Sequence, residues 1–261
     1  MEERKLREVE YYDKEAESSK NSKKEAGSLK SFDPFFLESY RYLKEYLKVG
    51  YQEKDVLDYG CGSGMHLSWL SRSFRKVTGV DLSQQSLNGA SDLIKQQNLN
   101  NTTVMLGDCE NLEFSPNSFD VVFDGGTFSS LDLDRALSQI HRVLKPGGLL
   151  VGIETLGHNP LTNAKRKLNI VLGKRTSWAG DHIFKIQDLE TVKKYFNVVQ
   201  LRFFHLTSWL AIPFLNLPGG KIFLKMLEKF DHLLLAIFPF LKKYSFKIVF
   251  VFVKKTPCQI I

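Results

Sequence analysis

Ten residues constrain this chain more than any others: Asp55-Val-Leu-Asp-Tyr-Gly-Cys-Gly-Ser-Gly64. A short apolar run of β character passes into glycines at alternate positions, and a helical pattern follows. Gly60, Gly62 and Gly64 can take backbone angles closed to other residues and let a ligand lie directly against the main chain, with Cys61 held between the first two. Asp58 sits at the strand's end, where a cation could be held. The spacing is G-x-G-x-G, distinct from the G-x-G-x-x-G of dinucleotide folds. A loop that serves only as a turn is the competing reading for the motif taken alone.

The segments downstream decide between those readings. Lys76-Val-Thr-Gly-Val-Asp81 reads as a second strand, and Asp81 follows Asp58 by 23 positions, close to the roughly 20-residue offset of a ribose-binding carboxylate. Thr103-Val-Met-Leu-Gly-Asp108-Cys109 reads as a third strand and turn. Phe119-Asp-Val-Val-Phe-Asp124-Gly-Gly is a fourth strand, bringing Asp124 and Gly125 to its end, and Leu144-Lys-Pro-Gly-Gly-Leu-Leu-Val-Gly-Ile153 adds a Pro-Gly-Gly turn and a fifth strand from residue 148. Helical patterns over 65–74, 83–97 and 132–144 lie between them, the second with Ser83 as N-cap. Such alternation predicts a parallel sheet with helices on both faces and a ligand site at the strands' C-terminal ends.

These five segments, in this order, resemble the motifs of class I S-adenosylmethionine-dependent methyltransferases, strongly over residues 54–155 and loosely elsewhere. The resemblance implies a Rossmann-like α/β fold whose seven-stranded sheet ends in an antiparallel pair, supplied by 197–206 and 245–253. It implies S-adenosyl-L-methionine as cofactor and S-adenosyl-L-homocysteine as product. A carboxylate at Asp81 can accept from both ribose hydroxyls, and Asp108 matches the family position that accepts from the adenine amino group. Leu82, Cys109, Asp124 and Gly125 complete the expected surroundings, and His66, in the first helical turn after the glycines, would touch the methionine part. Tyr11-Tyr12-Asp13 resembles the Tyr-Asp pair with which many of these enzymes close an N-terminal helix over the cofactor, which adds Tyr12.

At 261 residues the chain can bury one full α/β core. Cys61, Cys109 and Cys258 are far apart, so neither a disulfide framework nor a zinc site is expected, and a cytoplasmic setting follows. No signal peptide is expected at the N-terminus. The apolar run 233–241 is nine residues long, against roughly 18 needed to span a bilayer. The net charge of +7 is uneven: residues 1–30 are neutral, 31–161 carry −5 and 162–261 carry +12. A basic C-terminal part can face nucleic acid, an anionic membrane or an acidic substrate, or be a solvated face.

The composition predicts a mobile cap segment over 1–34, centred on the Lys/Glu/Ser-rich run 13–31. The remainder, 35–261, is read as one domain that opens with a helix over 35–47. Two stretches fall outside the common core: an acceptor lid over 155–196 and an insertion over 207–244 between the last two strands. In the insertion Lys225, Glu228, Lys229 and His232 share one helical face, while Phe223, Leu224, Met226, Leu227, Phe230, Leu233 and Leu234 occupy the rest. So wide an apolar arc needs cover from the domain's own core, a second subunit, a greasy substrate or a bilayer.

Methyl transfer from a sulfonium needs mainly alignment and the exclusion of water, with a base where the nucleophile carries a proton. His182 and His158 are the candidate bases beyond the fifth strand. The Pro-Pro-aromatic tetrad that clamps a flipped base in amino-methylating enzymes is replaced here by Asp124-Gly-Gly-Thr127, which argues against nucleic acid as substrate. Three thiols, two of them in cofactor motifs, argue against arsenite. The layout resembles bacterial small-molecule O- and N-methyltransferases of the quinone and natural-product type. A small hydrophobic or aromatic acceptor, peripheral membrane contact and a homodimer are the expected partners. The alternatives are a non-catalytic cofactor-binding scaffold and a protein or nucleic-acid methyltransferase working through the basic face.

Overall fold

The structure, a computed structural model, describes residues 2–25 and 34–256. Seven strands form one sheet: β1 (Asp55–Tyr59), β2 (Lys76–Asp81), β3 (Thr102–Leu106), β4 (Phe119–Asp124), β5 (Leu144–Thr155), β6 (Phe196–Phe204) and β7 (Lys247–Lys254). Their spatial order is β3-β2-β1-β4-β5-β7-β6. The pairs among β1 to β5 are parallel, and β7 runs antiparallel to both β5 and β6. The order reverses between β1 and β4, and the crevice beyond those two strand ends is where such sheets bind ligands.

The helices are α1 (Glu3–Glu25), α2 (Glu38–Tyr46), α3 (Leu67–Ser73), α4 (Gln84–Gln97), α5 (Leu133–Val143), α6 (Pro160–Val171), α7 (Ser177–Asp181), α8 (Leu189–Tyr195) and α9 (Gly220–Ile237). Local chemistry sets their starts. The hydroxyl of Ser83 accepts from the Ser86 amide to cap α4, Asp132 accepts from Arg135 to cap α5, and Asn159 accepts from Leu161 and Thr162 to cap α6. Strand side chains alternate between the sheet's faces. On β4, Val121 and Phe123 join a core with Leu43, Leu67 and Leu224, while Val122 joins one with Leu137, Ile140 and Phe252. The two cores sandwich the sheet, and β7 is buried along Lys247–Phe252 because it lies between β5 and β6.

Three elements depart from the expectations. The fifth strand begins at Leu144 because Lys145-Pro-Gly-Gly148 is absorbed as an irregularity in the β4–β5 pairing, with Gly147 at φ +72°. The Lys/Glu-rich N-terminal run is helical through Glu25, as these good helix formers favour, and Glu3 and Arg7 pair one turn apart. Residues 26–33 of that run lie outside the described residues.

The insertion comprises a 3-10 turn over Ser208–Phe214, α9, and a second 3-10 turn over Pro239–Tyr244. Its orientation reverses the expected face. Glu228, placed on the polar side by its spacing, points inward with Asp231. The Glu228 carboxylate accepts from Arg41 at 2.7 Å and from the Glu38 amide at 2.9 Å. Asp231 accepts from the Thr207 amide and hydroxyl at 2.8 and 2.7 Å and from the Ser208 amide at 3.0 Å. These buried bonds, together with the burial of Leu224 and Leu235 on the same face, fix how α9 is rotated. Asp231→Ala should cost about 2–4 kcal/mol in denaturant unfolding, since it leaves buried donors unpaired, and Asp231→Asn should cost less; equal losses for the two would contradict this.

Candidate cofactor site

The crevice beyond β1 and β4 holds a cavity of about 270 Å³. Its floor is the loop from β1 to α3. Gly60 has φ +70°, and a Cβ there would collide with the Thr127 side chain, whose hydroxyl donates to the Tyr59 carbonyl at 3.0 Å. Gly62 has φ +51°, and a Cβ there would meet nothing within 4 Å because it would project into open space. The bare backbone at Gly62 is therefore a cradle that a side chain would fill. Gly64 is turned away from the cavity and packs close to Leu67 and Ala90.

Asp81, at the end of β2, closes the loop. One carboxylate oxygen accepts from the Gly62 amide at 2.8 Å and the other from the Ser83 amide at 2.9 Å. Burial raises its pKa against these amide donors. Asp81, Leu82, Asp108, Cys109, Cys61, His66 and Gly125 all line the cavity. Gly125 has to be glycine, since a Cβ would overlap the His66 ring. His66 is 5% exposed, stacked on Tyr40 and edge-on to Trp69 and Phe123. Burial, with a smaller contribution from Lys247, pushes its pKa down to about 3, so the imidazole is neutral. Its buried Nε2 has no protein partner.

The roof is α1. Arg4 pairs with Glu110 at 2.6 Å and donates to the Ser130 carbonyl at 3.0 Å, and Lys5 bridges Asp108 at 2.6 Å and Glu110 at 3.0 Å. Two turns on, Asp13 accepts from the Ser83 hydroxyl at 2.5 Å and the Gln85 amide at 3.3 Å, at the N-terminus of α4, where an acidic group is favoured. Between these anchors Tyr12 lines the cavity and its hydroxyl meets Ser130 at 3.0 Å. The helix is thus fastened at its start and again near its middle, on either side of Tyr12.

Five expected residues do not reach the cavity. Besides Gly64, Asp58 is fully buried, with neither carboxylate oxygen partnered, so it holds no ligand at the surface of the pocket. Burial and the nearby Asp81 push its pKa up to about 8. Asp124 is also fully buried and accepts from the Thr127 amide at 2.9 Å; beside it, Glu154 accepts from the Phe128 amide at 2.8 Å. Burial and Glu154 raise the Asp124 pKa. The two carboxylates shape the 125–128 turn instead of facing the ligand. His158 accepts from the Ile186 amide at 3.1 Å through Nε2, a bond that occupies one ring nitrogen. His182 stacks on Trp178 at 3.6 Å and borders an adjoining cavity of about 330 Å³, which shares Arg4 with the first. Residues the sequence reading missed also line the main cavity, among them Arg4, Lys5, Ser63, Met65, Thr127 and Ser130. Thr127 and Ser130 were within reach, because they follow the fourth strand directly. No local pattern marks Arg4 or Lys5.

The pocket fits S-adenosylmethionine: the Gly62 cradle is open, the Asp81 carboxylate stands at its rim, and His66, with its Nε2 orphaned, lines the wall. Two outcomes follow. In the ligand-free protein the neutral acid at Asp58 is favoured, so its contribution to stability is full below its ordinary 3.8 and declines as pH rises to about 8. Asp58→Asn should therefore gain in thermal midpoint relative to the parent between pH 4 and pH 8 and level off above; a pH-independent difference would contradict this. Arg4→Ala with Lys5→Ala should speed dissociation of S-adenosylhomocysteine about tenfold in stopped-flow fluorescence, since each charge-assisted bond contributes on the order of 1.5–3 kcal/mol. An unchanged rate would show that α1 is no lid.

Residues 57–152 match the methyltransferase-domain family. The chain is 33% identical over 115 residues to an uncharacterized methyltransferase, YodH, of Bacillus subtilis, covering 44% of this chain and 49% of that one. It is 38% identical over 114 residues to the demethylmenaquinone methyltransferase of Staphylococcus haemolyticus, covering 42% and 46%. The chain thus spans about half the length of the curated relatives it matches. Among solved structures, the MccD protein superposes with a TM-score of 0.60 at 15% identity, covering 84% of this chain and 99% of that one. A chain from the complex between the Haloferax volcanii Trm112 methyltransferase activator and a methyltransferase gives 0.61 at 15% identity, covering 95% and 97%. These two show the shared fold. With the strand order, the glycine loop and the family match in agreement, the chain carries a class I S-adenosylmethionine-dependent methyltransferase domain.

Proposed function

We propose that the protein transfers a methyl group from S-adenosyl-L-methionine to an oxygen or nitrogen of a small hydrophobic or aromatic acceptor. The observation that carries the reading is the Gly62 cradle with Asp81 at its rim, roofed by α1. Bound there, the cofactor would supply an electrophilic methyl on a sulfonium. The protein's part is to hold it through the loop amides, Asp81 and Asp108, and to exclude water with α1. Lys5 now occupies Asp108, so an adenine amino group would have to share that carboxylate or displace the lysine. His182, beside the adjoining cavity, is the proposed proton acceptor, since its Nδ1 donates to the Trp178 carbonyl at 3.0 Å and leaves Nε2 to accept. His158, whose Nε2 already accepts from the Ile186 amide, has the weaker claim.

The acceptor class draws support from the quinone-methylating relatives, and an acceptor of that kind partitions into bilayers. Contact with a membrane surface belongs to the same reading. The test is incubation with methyl-tritiated cofactor and a lipid extract of the source cells. Label should enter an organic-soluble product with the parent protein and not with Gly62→Val, whose side chain would enter the cradle at a strained φ. Label confined to protein or nucleic acid would overturn the acceptor class, and no transfer with any extract would favour a scaffold.

A further inference from the structure

The rotation of α9 leaves an unusual outer surface. At 100° per residue, Leu224, Leu235, Glu228 and Asp231 fall on one side and are buried. Ile222, Leu233, Met226, Ile237, Phe230 and Phe223 succeed one another around the opposite arc, all exposed, the first three by 67%, 57% and 64%. Lys229 and Lys225 border that arc on one edge, and both are exposed. The helix is inverted relative to an ordinary surface helix, with carboxylates inside and large apolar side chains in water. Exposed Phe214, Leu217, Phe238 and Phe240, from the segments flanking α9, add to this apolar surface, and Lys242 and Lys243 add charge.

An apolar area of this extent on a protein surface marks a contact. The lysines decide the occupant. We infer that the outer face of α9 docks on an anionic lipid bilayer, its apolar arc entering the interface and Lys225, Lys229, Lys242 and Lys243 meeting the headgroups. A second copy of the same face would bring these lysines towards one another, whereas anionic lipid neutralises them. No helix among the described residues is long and apolar enough to cross a membrane, so the contact is peripheral. The inference deepens the hydrophobic-acceptor reading, since it gives the protein access to an acceptor dissolved in lipid, but it is tested without reference to methyl transfer.

The test is co-sedimentation of the full chain with vesicles of phosphatidylcholine alone and with one quarter phosphatidylglycerol, at 50 mM and 500 mM salt. Binding should require the anionic lipid and weaken at high salt. Met226→Glu with Phe230→Glu should reduce partitioning at least about tenfold, because two anchors are lost from the apolar arc. Unchanged far-ultraviolet circular dichroism and S-adenosylhomocysteine affinity would show that this variant is folded; if it is not, Lys225→Glu with Lys229→Glu gives the same reading through charge. Failure to bind anionic vesicles at low salt overturns the inference. So does a dimer in light scattering that Met226→Glu with Phe230→Glu dissociates while vesicle binding is absent, since a second copy then occupies the face. Loss of methyl transfer alone would bear on the proposed function and leave the docking face standing.

Discussion

The carboxylate of Asp81 is the point from which the site is built. By accepting from Gly62 and Ser83 it ties the glycine loop after β1 to the turn before α4, so two separate βα connections become one rigid rim. Ser83 in turn caps α4 through its hydroxyl and offers that hydroxyl's proton to Asp13 of α1. A single acidic side chain thus organises the floor, one wall and, through its neighbour, the attachment of the roof. Removing it would release the amides of Gly62 and Ser83 and untie the two connections from each other.

Below that rim the protein keeps carboxylates where water cannot reach them. Asp58, Asp124 and Glu154 are all essentially buried, and burial raises each pKa. Glu154 and Asp124 repay this through backbone amides of the 125–128 turn, which they hold in shape. Asp58 has no such partner, so it stands as a neutral acid beneath the glycines. The neutral His66 lines the pocket above it, and Asp81, Arg4 and the Lys5–Asp108 pair stand at the cavity wall.

Much of this was legible in the sequence because it depends on local rules. The strands β1 to β4 fall where the apolar runs place them, the Ser83 cap was written in the residue type, and the glycines announced a loop that approaches a ligand. What was illegible depends on partners distant in sequence. Whether Asp58 and Asp124 face the cavity or underlie it is set by sheet alternation and by the turn amides, not by the motif that contains them. The anchoring of Arg4 and Lys5 needs Glu110, more than 100 residues away. The rotation of α9 is set by Arg41, Thr207 and Ser208, so a helical wheel that sorts residues by polarity sends Glu228 to the wrong side.

The Gly62 cradle and Asp81 are the proposed seat of S-adenosylmethionine. Titration calorimetry with S-adenosylhomocysteine examines that most directly, because it needs no acceptor. One-to-one binding to the parent protein is expected, with Asp81→Ala weakened by about 1.5–3 kcal/mol or more through the lost ribose hydrogen bonds. No heat of binding to the folded parent protein, or undiminished binding to Asp81→Ala, would contradict it.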